Sequence, residues 1–308
     1  MILTVTCNPA VDVTYTLDRL TPGEVHRIET VHERPGGKGV NVARVLTQLQ
    51  QPTIAVGPGD REFGRLLGQS GVACDFPALL PRVRRTVVTV GDGQTTSLWE
   101  PGPVATPDTM VSLERLVQVH LAAATVLVVS GSVAPGLPDT MPARLAAMAQ
   151  RAGVPVVLDL DDAPLAAAAS SGGAVLMPNR EELSRLLATA PVDDVPAAAR
   201  ALSARTGAPV VVTLGVEGLV AVADGQCWRA VPPEAVVGNP TGAGDATAAG
   251  VAFGLARGLS WPEILPHAVA LGAAAVLAQL AGEVDLAAYR RWVSLVAVKP
   301  LVSLTQER

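Results

Sequence analysis

With 308 residues, 49% of them apolar but only 3% aromatic, the chain can bury a large core in one big domain or two smaller ones, and that core must be built from Val, Leu and Ala. A formal net charge of −5 argues against a general nucleic-acid or membrane surface, so an anionic ligand would need positive charge gathered locally. The three cysteines (Cys7, Cys74, Cys227) and four histidines (His26, His32, His120, His267) lie far apart with no metal-ligand or disulfide spacing, which fits a reducing, cytoplasmic compartment.

The first segment, Ile2–Thr6, is an apolar strand; it lacks the basic n-region and the length of a signal peptide. Val11–Leu17 and Val25–Glu33 alternate polar and apolar residues. Gly39–Gln50 is an amphipathic helix with Val42, Val45, Leu46 and Leu49 on one face, and Thr53–Gly57 is a short strand. Arg85–Val90 and Thr95–Glu100 flank Gly91-Asp92-Gly93, a hairpin signal. Pro101–Pro107 is a return loop. Four β-branched runs follow: Thr125–Ser130, Pro155–Leu160, Ala174–Met177 and Pro209–Leu214. Helical stretches lie among them at Pro138–Ala152, Ala163–Ser170, Asn179–Ala188 and Val195–Thr206.

Apolar strands alternating with helices predict an α/β fold with a doubly wound, mostly parallel sheet covered on both faces. The alternating segments predict a half-exposed antiparallel sheet projecting from it, a lid or dimer surface. From Gly242 to about Val298 the chain is expected to be mostly helical. Its most apolar stretch, Ala268–Leu280, is shorter than the roughly 20 residues of a membrane span and reads as a buried helix.

Gly242-Ala243-Gly244-Asp245 opens the Ala-rich helix Ala246–Ala256. Small residues let backbone approach a ligand, and the free N–H groups of a helix start bind anions. A carboxylate there suits phosphoryl transfer to a hydroxyl: the amides hold the migrating charge and Asp245 takes the proton. A helix cap or dipole partner would use the same aspartate.

Other candidates fall where strands end. Asn8-Pro9-Ala10-Val11-Asp12 follows the first strand; Asp12 suits sugar hydroxyls or an Asx turn. Gly36-Gly37-Lys38-Gly39-Val40-Asn41 is no Walker A loop but supplies close backbone, an amine and an amide. Lys38 is one of only two lysines, with Lys299. Arg82, Arg84 and Arg85 suit a phosphate clamp or the basic edge of a strand. Ser130-Gly131-Ser132 and Asp159 end two later strands. Asn179 and Glu182, three apart, suit a hydrated Mg²⁺ or a capping box. Thr213, Gly215 and Gly218 form a turn of the kind that brings amides to a nucleotide.

Together these motifs resemble the ribokinase-like sugar kinases of the phosphofructokinase B branch along nearly the whole chain, and within it the 1-phosphofructokinases and tagatose-6-phosphate kinases. The motifs are Thr4 to Asp12, Gly36 to Val42, Ser130-Gly131-Ser132 with Pro135-Gly136, Pro178-Asn179 with Glu182, and Gly242 to Asp245. The resemblance implies one kinase domain over residues 1–308 with a lid at about 11–34 and 83–100. It implies ATP- and Mg²⁺-dependent phosphorylation of a ketohexose monophosphate, first fructose 1-phosphate to fructose 1,6-bisphosphate, with tagatose 6-phosphate as the alternative acceptor. Asp245 would be the base and the Gly242, Ala243 and Gly244 amides the anion hole. Asp12, Gly36, Gly37, Lys38, Asn41 and Ser132 would bind the sugar phosphate, Arg84 its existing phosphate, and Arg27 would reach across a homodimer paired through the lid. Thr213, Gly215 and Gly218 would line the ATP site; Asn179, Glu182 and Asp159 would organise Mg²⁺. Where the family usually has Lys before Pro-Asn, this chain has Met177, a thioether that cannot replace that charge. Compensation by Lys38 or Arg180, altered activity, or a non-catalytic sugar-phosphate or nucleotide sensor would each answer that departure. A kinase of an uncharged substrate is the further alternative.

Overall fold

The computed structural model describes residues 1–28, 30–91, 94–188 and 192–301. In chain order, β1 (Ile2–Val5) is followed by β2 (Ala10–Thr16), β3 (Thr30–Gly36), α1 (Lys38–Gln48), β4 (Thr53–Val56), α2 (Arg61–Gln69) and β5 (Cys74–Asp75). Next come β6 (Arg84–Gly91), β7 (Gln94–Trp99), α3 (Pro107–Leu121), β8 (Val126–Ser130), α4 (Met141–Arg151), β9 (Val156–Asp159) and α5 (Asp162–Ser171). The chain continues through β10 (Val175–Leu176), α6 (Arg180–Leu187), α7 (Val195–Thr206), β11 (Val210–Thr213), β12 (Leu219–Ala223) and β13 (Gln226–Val231). It closes with α8 (Ala243–Ala256), α9 (Trp261–Val276), α10 (Leu286–Trp292) and β14 (Ala297–Pro300).

Ten strands form the main sheet in the order β14-β13-β12-β11-β10-β9-β8-β1-β4-β5. From β11 through to β5 neighbours run parallel. Successive side chains of a strand point to opposite faces, and both faces here are dry. Leu3, Val5, Leu127 and Val129 enter the core beneath α3 to α7. Ile2, Val126 and Val128 enter the core shared with α1, α8 and α9. Helices therefore cover the sheet on both sides, the doubly wound arrangement that the apolar runs predict.

The lid is a separate four-stranded sheet, β3-β2-β6-β7. It consists of two antiparallel hairpins, and β2 runs parallel to β6 where they meet. Val13 and Val88 are buried, while Val31, Leu98 and Trp99 are exposed. The expected strand Val25–Glu33 begins only at Thr30 and runs on to Gly36, directly into α1. Of the expected turn Gly91-Asp92-Gly93, Asp92 and Gly93 lie outside the described residues; Gly91 pairs with Gln94.

The end of the chain departs from the expectation of helix to about Val298. Once α10 has ended at Trp292, Ala297–Pro300 becomes an edge strand antiparallel to β13. Pro300 is tolerated because an edge strand leaves one row of donors unpaired. No helix among the described residues is long and apolar enough to cross a membrane.

Candidate active site

A cleft of about 280 Å³ opens where β1, β8, β9, β10 and β11 end, and the lid roofs it through Asp12, Thr86 and Trp99. The crevice beyond the carboxyl ends of parallel strands is where open α/β sheets bind ligands. Thirteen of the expected residues line it: Asp12, Gly37, Lys38, Asn41, Arg84, Ser132, Asp159, Asn179, Glu182, Thr213, Gly242, Gly244 and Asp245.

Asp245 is placed by a glycine. Gly242, at φ 87°, is the N-cap of α8, and a Cβ on it would stand 2.9 Å from the Ala281 Cα. The helix consequently starts at Ala243, three residues earlier than the Ala-rich run implies, and Asp245 falls in its first turn. It does not act as a cap. The residue is 5% exposed, and its carboxylate accepts a hydrogen bond from Asn41 Nδ2 at 3.1 Å. Burial, then the nearby Asp159, push its pKa up to about 8; Lys38 and the Asn41 bond work in the opposite direction. Of the three neighbouring amides, Ala243 N–H is engaged by Pro240 O at 3.1 Å.

Asn41 also donates to Asp12 Oδ2 at 3.4 Å. Asp12 accepts a further bond from Thr86 Oγ1. Gly36 is not on the cleft surface; its role is steric, because a Cβ there would overlap the Asp12 carboxylate. One helical turn beyond Asn41, buried Arg44 donates to Pro35 O at 2.9 Å and approaches Asn41 Oδ1 at 3.5 Å. Burial lowers its guanidinium to about 10.

Lys38 Nζ lies 2.8 Å from Asp161 and 3.7 Å from Asp159, whose Oδ2 accepts from Ser130 Oγ at 2.9 Å. Burial alone would lower the ammonium's pKa; Asp159, Asp161 and Asp245 outweigh it and hold the charged form. Among the described residues Arg84 bonds only neutral oxygens: Glu100 O at 2.9 Å, Ser132 Oγ at 3.4 Å and Asn8 O at 3.4 Å. Thr6 Oγ1 and Asn8 Oδ1 are buried without a hydrogen-bond partner among the described residues. Both residues line the cleft, but these two atoms are turned towards the backbone of Gly39 and Gly102.

Asn179 and Glu182 form the capping box of α6: Asn179 Oδ1 accepts from Glu182 N at 2.9 Å, and Glu182 Oε2 accepts from Asn179 N at 2.8 Å. Both still line the cleft, and burial raises the Glu182 pKa. Among the described residues no three His, Cys, Asp or Glu side chains form a metal cage. The donor set of Glu182, Asp159 and the Asn179 amide suits Mg²⁺ bound through water and substrate phosphates, since that ion sheds its waters reluctantly.

A second pocket of about 500 Å³ adjoins the cleft. Its walls are apolar, including Val236, Val269 and Val276, and Gly215, Gly218 and Ala243 form its rim. Thr213 and Gly244 belong to both cavities, so the two meet at the start of α8.

Some residues lie elsewhere. Arg27 is exposed in the β2–β3 loop and lines neither cavity of its own chain. Arg85 pairs with Glu33 and Arg82 with Glu100, both on the lid exterior. Arg180 is held by Glu217 at 3.0 Å, so it does not supply the cleft with charge in place of Met177, which is buried at the end of β10 and lines the cleft. Two charged cleft residues were not expected. Asp161 is two residues past Asp159, and the run Asp159-Leu160-Asp161-Asp162 was a signal for it. Arg34, from β3, pairs with Glu283 at 2.7 Å and donates to Ala281 O; nothing local marks it.

The sequence pattern described as pfkB family carbohydrate kinase matches residues 5–286. Phosphofructokinase-2 from Escherichia coli in complex with potassium superposes with a TM-score of 0.88 at 28% identity, over 96% of this chain and 98% of that one. The same enzyme in complex with fructose-6-phosphate gives 0.86 at 28% identity over 96% and 98%. A possible 1-phosphofructokinase from Thermotoga maritima shares the fold, with a TM-score of 0.88 at 22% identity over 98% and 99%. With that match spanning nearly its full length, the chain belongs to the pfkB family of carbohydrate kinases.

Proposed function

We propose that the chain transfers the terminal phosphoryl group of ATP to a hydroxyl of a ketohexose monophosphate, giving the bisphosphate. The observation that carries this reading is the junction of the two cavities. A charged cleft with Asp245 at its floor and an apolar pocket of a size to take a nucleoside share Thr213 and Gly244 at one helix start. Phosphoryl transfer consists mostly of positioning and charge stabilisation, and a helix N-terminus between the two ligands provides both.

In this reading Asp245 accepts the proton of the attacking hydroxyl, and Asn41 aims its carboxylate. The Gly242, Ala243 and Gly244 amides face the migrating charge, the Ala243 N–H after leaving Pro240 O. Asp12 binds sugar hydroxyls, with Gly36 giving its carboxylate room and Gly37 bringing backbone to the cleft wall; Ser132, Lys38 and Arg84 receive the substrate's phosphate. Thr213, Gly215 and Gly218 line the nucleotide. Mg²⁺, held through water by Asn179, Glu182 and Asp159, would neutralise phosphate charge. Arg27 completes the site only across a homodimer, for which the exposed Val31 and Leu98 of the lid supply apolar surface.

Fructose 1-phosphate is the first acceptor and tagatose 6-phosphate the alternative. Fructose 6-phosphate is a second reading, favoured by the likeness at 28% identity to the enzyme solved with it. ADP release from Mg-ATP, measured with these three, fructose and ribose, decides among them. Turnover with a phosphorylated ketohexose that is lost in Asp245→Asn is the expected result. Turnover with fructose or ribose alone would replace it with a kinase of uncharged sugars. ATP binding with no turnover of any of the five would favour a sensor.

A further inference from the structure

Asp161 is the N-cap of α5, where an aspartate ordinarily accepts a hydrogen bond from its own helix. It makes no such bond. Its carboxylate instead meets a residue 123 positions away, Lys38, at 2.8 Å. The next residue, Asp162, takes φ 40° in the left-handed region and pairs with Arg185 at 3.0 Å. The local use of Asp161 has thus been given up for a long-range ion pair inside the cleft.

That pair faces the ligand space. The Lys38 and Asp161 side chains are 29% and 26% exposed. Both line the cleft and also the open cavity of about 690 Å³ beside it. Arg84 shares both walls; among the described residues its hydrogen bonds go to neutral oxygens, and Asp12, Asp161 and Glu100 act on its charge only through space. The wall common to the two cavities therefore holds two cations in different states: Arg84, with no carboxylate in direct contact among the described residues, and Lys38, already in contact with one.

We propose that Asp161 is a built-in counter-ion of Lys38, which an incoming phosphate must displace, so that Asp161 sets how strongly the site prefers phosphorylated to free sugars. The inference rests on reading this cleft as a sugar-phosphate site. Before binding, Asp161 is the nearer of the two carboxylates paired with the ammonium, Asp159 standing farther off at 3.7 Å; after binding, it repels the phosphate that has taken its place. Part-exposed ion pairs shift equilibria by up to about fivefold, and the repulsion adds to that.

The test uses Asp161→Asn, which retains a good N-cap residue and hence α5. Calorimetric titration with inorganic phosphate, and KM for fructose 1-phosphate, are compared in the parent chain, Asp161→Asn, Lys38→Met and the double variant. In Asp161→Asn phosphate affinity should rise about three- to tenfold, with KM falling to match and affinity for free fructose unchanged. In the Lys38→Met background most of the gain should vanish. Unchanged or weaker phosphate binding in Asp161→Asn would overturn the proposal, as would an undiminished gain without Lys38. If the parent turns over no ketohexose phosphate, the kinase reading falls, while the phosphate titration still decides the role of Asp161.

Discussion

A carboxylate whose pKa is about 8 is mostly protonated at neutral pH, and a general base must first lose that proton. For Asp245 as base, kcat/KM should therefore rise with pH up to about 8 and then level off, because that ratio reports the free enzyme. A profile already flat from pH 5 would place the base elsewhere. Stability gives a second reading of the same proton. The folded-state pKa of about 8 lies above the unfolded value of 3.8, so within that window the folded chain holds a proton that the unfolded chain has lost. Stability then falls as pH rises through the window. Asp245→Asn removes this dependence: its advantage in urea-unfolding free energy should grow from pH 4 to pH 8 and be constant above. Asp245 and Lys38 were legible in the sequence because small residues and a rare lysine advertise them. Asp161 and Arg34 were less so, because their partners, Lys38 and Glu283, lie far along the chain and only the fold brings them together.

Helices α8 and α9 meet through glycine, and that contact carries the floor of the cleft. A Cβ on Gly250 would stand 2.5 Å from the Ala268 Cα. In an exposed helix, Gly→Ala usually stabilises by up to about 1 kcal/mol. Here the sign should reverse: Gly250→Ala should cost about 1–3 kcal/mol by forcing the helices apart, read as a lower thermal midpoint. A raised midpoint would mean that the helices yield freely. At this scale the inner parallel strands are easy to read, since burial on both faces makes them continuously apolar; the half-buried edge strand β5, Cys74–Asp75, carries no such run. Helices α2 and α3 were not recognised; only Phe63 and Leu67 of α2 are fully buried, so its apolar stripe is narrow. β14 does not stand out from the helices before it, because an edge strand exposed along most of its length carries little pattern.

For the molecule as a whole, the two cavities are separate stores of binding energy that adjoin at one helix start. Nucleotide alone should raise the unfolding free energy, by about 2.7 kcal/mol at a hundredfold excess over Kd. Calorimetric scans at several ATP concentrations check this; an unchanged midpoint would remove the apolar pocket as the nucleotide site. Between the lid and the base runs a single helix, α1, with its working residues three apart: Lys38 towards Asp161, Asn41 towards Asp245 and Asp12, and Arg44 towards Pro35 of the lid. An α-helix turns about 100° per residue. A one-residue insertion or deletion inside 38–44 would swing the downstream members of this trio off their partners in one event, whereas a changed length in the exposed β2–β3 loop would disturb none of them. The length of this stretch is therefore as constrained as its composition: natural variants of the protein should differ in loop length on the lid and never in the count of residues from Lys38 to Arg44.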